Sequence, residues 1–324
     1  MAAPALAEKS FTADDGVALP LRVWRPAGTP KAVLLALHGF NDYSNAFAAP
    51  AEEWAKHGIA TYAYDQRGFG QAPERGRWLG ARRLAEDVTN ASAALRARYP
   101  GVPLYLLGES MGGAVAIVAV TGAAGSAPPD VDGIILAAPA VWGRETMNVF
   151  ERAALWTGNV LFPGMTLTGG GLHITPSDNI AMLRALSRDP LVIKETRVDT
   201  IKGLVDLMDL ALDAAPRVTQ PMLLLYGSRD EIVPRAPTQL WVARLPYGAR
   251  TSRRIAWYAS GYHMLLRDLE AGIVLRDIES WIADRDAPLP SHADQRASVV
   301  LFASDLAAPV QTISDSAQAH TLAR

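Results

Sequence analysis

Pro103-Leu104-Tyr105-Leu106-Leu107-Gly108-Glu109-Ser110-Met111-Gly112-Gly113-Ala114-Val115 is the stretch on which the fold turns. Pro103–Leu107 is a short apolar run, the pattern of a strand buried on both faces. From Met111 to Ala124 small and aliphatic residues dominate, which reads as a buried helix. Between the two lies Gly-x-Ser-x-Gly, a serine on a sharp strand-to-helix turn. So tight a turn needs glycine two residues either side of the serine, because larger side chains would clash. It lifts the Ser110 hydroxyl to a helix N-terminus, where the dipole favours developing negative charge.

The chain on either side repeats the alternation. Lys9–Thr12 and Val17–Trp24 read as strands around the turn Asp14-Asp15-Gly16. Ala32–Leu37 is a second continuous apolar run, Ala46–His57 is helical, and Ile59–Tyr64 is a strand. Leu84, Val88, Ala91 and Leu95 recur at helical spacing until Pro100-Gly101, and Ile134–Ala138 is another strand. After a break, Met222–Gly227 (strand), Pro234–Leu245 (helix), Arg254–Ala259 (strand) and Asp268–Ala283 (helix) resume it. This order predicts an α/β fold with a mostly parallel, doubly wound sheet. Residues 8–140 and 218–285 form the core. Residues 141–217 show no obvious strand and read as a helical insertion around Phe150–Phe162, Ile180–Leu186 and Ile201–Leu212. Periodicity fades beyond Arg285, so 286–324 reads as a C-terminal tail in which Val299–Phe302 is the piece expected to dock on the core.

The 324 residues are 49% apolar and 20% charged, a globular balance that excludes a disordered chain. A net charge of −2 gives no positive field for a phosphate backbone, so nucleic acid is not an expected partner. With no cysteine there are no disulfides, no thiolate chemistry and no cysteine-bound metal. The longest apolar stretch, Val102–Val120, is interrupted by Gly108, Glu109 and Ser110, so no membrane span is expected. Ala5-Leu6-Ala7 reads as a frayed terminus or as the small-residue end of a removed signal, which leaves a soluble chain in the cytoplasm or exported.

A serine nucleophile needs a base, and the base needs an orienting acid. Of six histidines, His57 sits at a helix end, His173 follows three glycines, and His292 and His320 lie in the tail. His38 ends a strand before Gly39 and reads as a structural hydrogen-bonding residue. His263, in Ser260-Gly261-Tyr262-His263 after the last strand, stands where the base belongs. Asp230 and Glu231 both follow the strand Met222–Tyr226 and both qualify as the acid by position. The oxyanion of acyl transfer needs preorganised N–H donors. Phe40, in the loop His38-Gly39-Phe40-Asn41-Asp42, and Met111, just after the serine, supply them. Asp65-Gln66-Arg67-Gly68-Phe69-Gly70 matches no phosphate-binding fingerprint and reads as a structural turn with Arg67 tying loops together. No histidine–carboxylate spacing suggests a metal, and the chemistry requires no cofactor.

These motifs, with Asp189-Pro190 and Gly227-Ser228-Arg229-Asp230, resemble the α/β-hydrolase superfamily over roughly residues 10–285. More narrowly they resemble its monoacylglycerol lipase and lysophospholipase-like branch, the serine aminopeptidase S33-type group. The resemblance implies an α/β-hydrolase fold, Asp230 as the acid, and a cap over the site at 141–217. Glu109 stands where family members often carry histidine, and Phe40 where they often carry a smaller residue. The implied function is a serine ester hydrolase of monoacylglycerol or lysophospholipid-like esters with short to medium acyl chains. Phe40, Trp142, Phe150, Trp156, Phe162 and Met208 are the expected substrate contacts, and the cap is an expected site of peripheral membrane contact. The stripe Ile201, Leu204, Val205, Met208 and Leu212 could equally pack the core or line a tunnel. Rival readings are a carboxylesterase of non-lipid esters, an aminopeptidase or amidase with the same residues, and a non-catalytic receptor.

Overall fold

The computed structural model describes residues 3–168, 174–246 and 253–302. The strands are β1 (Ala5–Leu6), β2 (Ser10–Thr12), β3 (Ala18–Trp24), β4 (Ala32–Leu37), β5 (Ile59–Tyr64), β6 (Leu104–Glu109), β7 (Gly133–Ala137), β8 (Thr166–Thr168), β9 (Glu195–Arg197), β10 (Met222–Gly227) and β11 (Arg253–Tyr258). The helices are α1 (Ala48–Lys56), α2 (Ala81–Arg98), α3 (Met111–Thr121), α4 (Val149–Leu161), α5 (Ile180–Arg188), α6 (Val198–Ala214), α7 (Arg235–Ala243), α8 (Ala271–Ala283) and α9 (Ala293–Phe302). Nine strands form one sheet in the order β1-β2-β3-β5-β4-β6-β7-β10-β11. From β5 to β11 all neighbours are parallel, and β1 to β3 form an antiparallel edge that joins β5.

Side-chain alternation divides the core between the two sheet faces. Val33, Leu35, Leu106, Leu136 and Leu224 pack with α2, α3 and α6. Leu34, Leu107, Ile135, Leu225 and Ala256 face the other way, towards Trp54 of α1 and Trp281 of α8. Strands covered on both faces have no polar side to show, which is why β4, β10 and the Leu104–Leu107 part of β6 read as apolar runs. This is the α/β-hydrolase fold.

Three sequence expectations change. Ala5–Leu6 is a paired edge strand rather than a frayed end, its register Ala5↔Thr12 and Leu6↔Phe11. The segment between β7 and β10, expected to lack strands, holds the antiparallel pair β8–β9 with Leu167 opposite Thr196. Strands of three residues are too short to show alternation, so the sequence could not reveal them. The expected tail also has structure: Ala293 and Ala297 of α9 are buried, Ala297 beside Tyr226 and Trp257, and Arg254 pairs with Asp294 at 2.9 Å. The contact is made by alanines four apart, which carry little hydropathy signal. The side chains of Val299–Phe302, like His173 and His320, lie outside the described residues.

Candidate active site

Ser110 has φ 53° and ψ −117°, a left-handed conformation held by its surroundings. The flanking glycines are obligatory. A Cβ on Gly112 would sit 2.0 Å from the Leu37 carbonyl oxygen, and one on Gly108 would sit 2.4 Å from that of Gly112. Gly39 brings its loop against the serine, a Cβ there standing 3.4 Å from Ser110 Cβ. The N–H groups of Phe40 and Met111 have no backbone partner among the described residues.

His263 follows β11, and its Nδ1–H donates to Asp230 Oδ2 at 2.8 Å, both side chains buried. That bond places the proton on Nδ1 and leaves Nε2 free to accept one. The other Asp230 oxygen accepts the N–H groups of Ile232 and Val233 at 2.8 and 2.9 Å. Glu231, the alternative acid, turns away and accepts the Thr175 N–H at 2.7 Å. His38 is fully buried: Nε2 accepts the Gln66 N–H at 3.0 Å while Nδ1–H donates to the Gly39 carbonyl at 2.8 Å. Burial lowers its pKa, so it stays neutral and holds the loop that carries Phe40. Arg67 likewise ties loops, with bonds of 2.7 Å to Asp87 and 2.9 Å to Asp15.

Ser110 and His263 line one cavity of about 430 Å³. Phe40, Trp142 and Met208 share its wall. Phe150, Trp156 and Phe162 do not: they are 81, 69 and 57% exposed on the outside of α4 and its C-terminal end. Their apolar cluster faces solvent because α4 meets α6 through its other side, where Leu155 packs against the core. The wall opposite the serine comes instead from the α6 stripe Ile201, Leu204, Val205 and Met208. Leu207, Ala211 and Leu212 of the same helix are core, so α6 serves both purposes.

The sequence reading also missed a charged cluster in this apolar cavity. Arg267 donates to Asp42 at 2.8 Å and to Glu109 at 3.1 Å, and all three line the wall. Burial raises the Glu109 carboxyl pKa above the usual range. Burial opposes the Arg267 charge, yet its two carboxylate partners hold its pKa above the ordinary arginine value. The available signal was Arg267, directly behind the apolar run Met264-Leu265-Leu266.

The serine aminopeptidase S33 family profile matches residues 28–270. The chain belongs to this family. It is 30% identical over 279 residues to the monoglyceride lipase of Mus musculus, covering 84% of this chain and 89% of that one. It is 27% identical to the monoacylglycerol lipase of Mycolicibacterium smegmatis, covering 85 and 96%. Among solved structures it resembles the monoacylglycerol lipase of Paleococcus ferrophilus, with TM-score 0.67 and 23% identity over 83% of this chain and 99% of that one. A soluble variant of monoglyceride lipase from Saccharomyces cerevisiae superposes with TM-score 0.70 at 18% identity, covering 89 and 97%. At those identities the two structures support the fold.

Proposed function

We propose that this S33 family member is a serine hydrolase of lipid-type carboxylic esters, monoacylglycerol or lysophospholipid-like, with short to medium acyl chains. The observation that carries this reading is the cavity itself: a serine on a strained elbow and a histidine bonded to a buried carboxylate open into a space walled by apolar side chains. The relatives named monoglyceride lipase agree with it.

His263 Nε2 takes the Ser110 proton as Oγ attacks the ester carbonyl. Phe40 and Met111 N–H groups hold the oxyanion, and Asp230 supports the imidazolium. His263 then protonates the departing alcohol and activates water, which releases the acid and restores Ser110. Residues 141–217 form the cap, whose α6 roofs the acyl channel. The exposed face of α4, with Val149, Phe150, Trp156, Val160, Leu161 and Phe162, is the membrane-contacting surface.

The aminopeptidase reading has one observation in its favour, since Asp42 and Glu109 could meet an ammonium group. Arg267 already bonds both carboxylates, which leaves them little field to offer a cation. A panel of glycerol monoesters, p-nitrophenyl esters and aminoacyl amides decides between the readings. Ester turnover should dominate and should fall by several orders of magnitude in Ser110→Ala, together with labelling by a fluorophosphonate probe. Faster amide cleavage would install the peptidase reading. Labelling that survives the substitution would move the nucleophile elsewhere.

A further inference from the structure

A short strap of the insertion, Thr175–Asn179, is bound to the loops that carry Asp230 and His263. The Thr175 N–H donates to Glu231 at 2.7 Å, next to Asp230. The Pro176 carbonyl accepts the Met264 N–H at 3.0 Å, next to His263. Asn179 Nδ2 donates to the Arg267 carbonyl at 2.9 Å, and Asp178 accepts the Leu269 N–H at 2.8 Å. The fifth contact is made by a side chain on each side. The fully buried Ser177 donates its hydroxyl to Asp268 Oδ1 at 2.6 Å. The other oxygen of Asp268 accepts the N–H of Tyr262, the residue before His263, at 2.8 Å. Asp268 is 7% exposed, so its carboxylate has lost most of its water and depends on these two donors.

We infer that Asp268, bridging Tyr262 and Ser177, is a positioning residue for His263 and the point at which the strap of the insertion fixes the base. This rests on the reading of Ser110 and His263 as nucleophile and base. An imidazole on a loop keeps its Nε2 aimed at the serine only while the backbone on both sides of it is held. Gly261 is fixed before it by the bond from the Arg229 N–H at 2.9 Å. Pro176 holds Met264 after it, and Asp268 holds Tyr262 itself. Burial, partly offset by the Ser177 and Tyr262 hydrogen bonds, pushes the Asp268 carboxyl up to about 6. An asparagine fits the same bridge: its oxygen accepts from Tyr262, and its amide donates to Ser177, whose hydroxyl turns.

The test uses Asp268→Ala, Asp268→Asn and Ser177→Ala in the full chain, with p-nitrophenyl butyrate turnover and fluorophosphonate inactivation as readouts. Asp268→Ala should lower kcat on the order of 10²-fold, with KM moved by less than about threefold, because misaiming the base acts on the chemical step. Inactivation should slow in parallel, and Asp268→Asn should recover most of both. Ser177→Ala should cost less, and it should add nothing in the Asp268→Ala background. A kcat within about threefold of wild type in Asp268→Ala, a loss carried by KM, or an asparagine variant as poor as alanine overturns the proposal. If the alanine variant does not fold, Asp268→Asn and Ser177→Ala decide alone: near-normal kcat in the first with a lowered kcat in the second supports the bridge, and wild-type kcat in the second overturns it. A wild type inert to both ester and probe overturns the hydrolase reading and this inference with it.

Discussion

Asp230 and Glu231 are adjacent and carry the same functional group, and the backbone chooses between them. Asp230 points inward to His263, held by two N–H groups of its own loop, while Glu231 faces the strap. Asp230→Asn should therefore lower the maximal ester rate by about 10⁴, since the imidazole loses its tautomer and the support for its charge. Glu231→Gln should cost less than about tenfold by the same steady-state assay, and the reverse ranking would reassign the acid. Asp268 yields a prediction of opposite character. Its folded-state value of about 6 lies above the ordinary 3.8, so the folded protein holds that proton more tightly than the unfolded chain. The stability it contributes is complete below about pH 4 and is lost as pH rises through 6. Asp178, Glu109, Glu270 and Arg296 surround it, so acids outnumber bases there. Asp268→Asn should raise the melting temperature at pH 7.5, and the gain should vanish at pH 4; an equal gain at both would remove Asp268 as its source. The places of Ser110 and His263 in the fold could be read from sequence because glycines and strand ends mark where they stand. That of Asp268 could not, since a charge in a loop shows neither its burial nor its partners.

At the scale of elements, the sequence told helix from strand more readily than it told inside from outside. The α/β alternation is explicit, because the central strands are dominated by short apolar runs. Within 141–217 the α4 and α6 segments both carry wide apolar stripes, and a stripe reports a face without naming its cover. The structure resolves the ambiguity in opposite ways: α6 is buried and walls the cavity, and α4 leaves its large side chains in water. A determinant of chain length is therefore to be sought on α6. Met208→Trp should shorten the preferred acyl chain, measured as kcat/KM across glycerol monoesters from C4 to C18 below their micelle concentrations. Each methylene excluded should forfeit up to ~0.8 kcal/mol, so the optimum should move towards short chains while the shortest ester is little affected. Trp156→Ala should leave that profile in place. A profile shifted by Trp156→Ala and unmoved by Met208→Trp would return the channel to α4.

The chain is nearly neutral overall, and among the described residues α4 and its C-terminal end present an exposed apolar ridge. The net charge of −2 offers no attraction to anionic lipid, so any affinity for a bilayer must come from apolar burial. Phe150, Trp156, Leu161 and Phe162 are each more than half exposed, and among the described residues no helix is long and apolar enough to cross a membrane. Shallow, reversible contact through α4 is what such a ridge can sustain, and it would bring the insertion to the surface from which a monoacyl lipid leaves the bilayer. Fully burying a large apolar side chain contributes about 1.5–3 kcal/mol, and partial insertion contributes less. Trp156→Ala combined with Phe162→Ala should then weaken binding to phosphatidylcholine vesicles by about 10- to 100-fold, read by sedimentation. Raising the salt from 0.1 to 0.5 M should not weaken wild-type binding, because no charge attraction is being screened. Turnover of monoacylglycerol presented in vesicles should fall with binding, while turnover of a soluble butyrate ester should hold, since neither side chain touches the cavity that contains Ser110. Binding that collapses in salt would replace the apolar ridge with a charged surface as the anchor. Binding that survives the double substitution would place the contact on another face of the molecule.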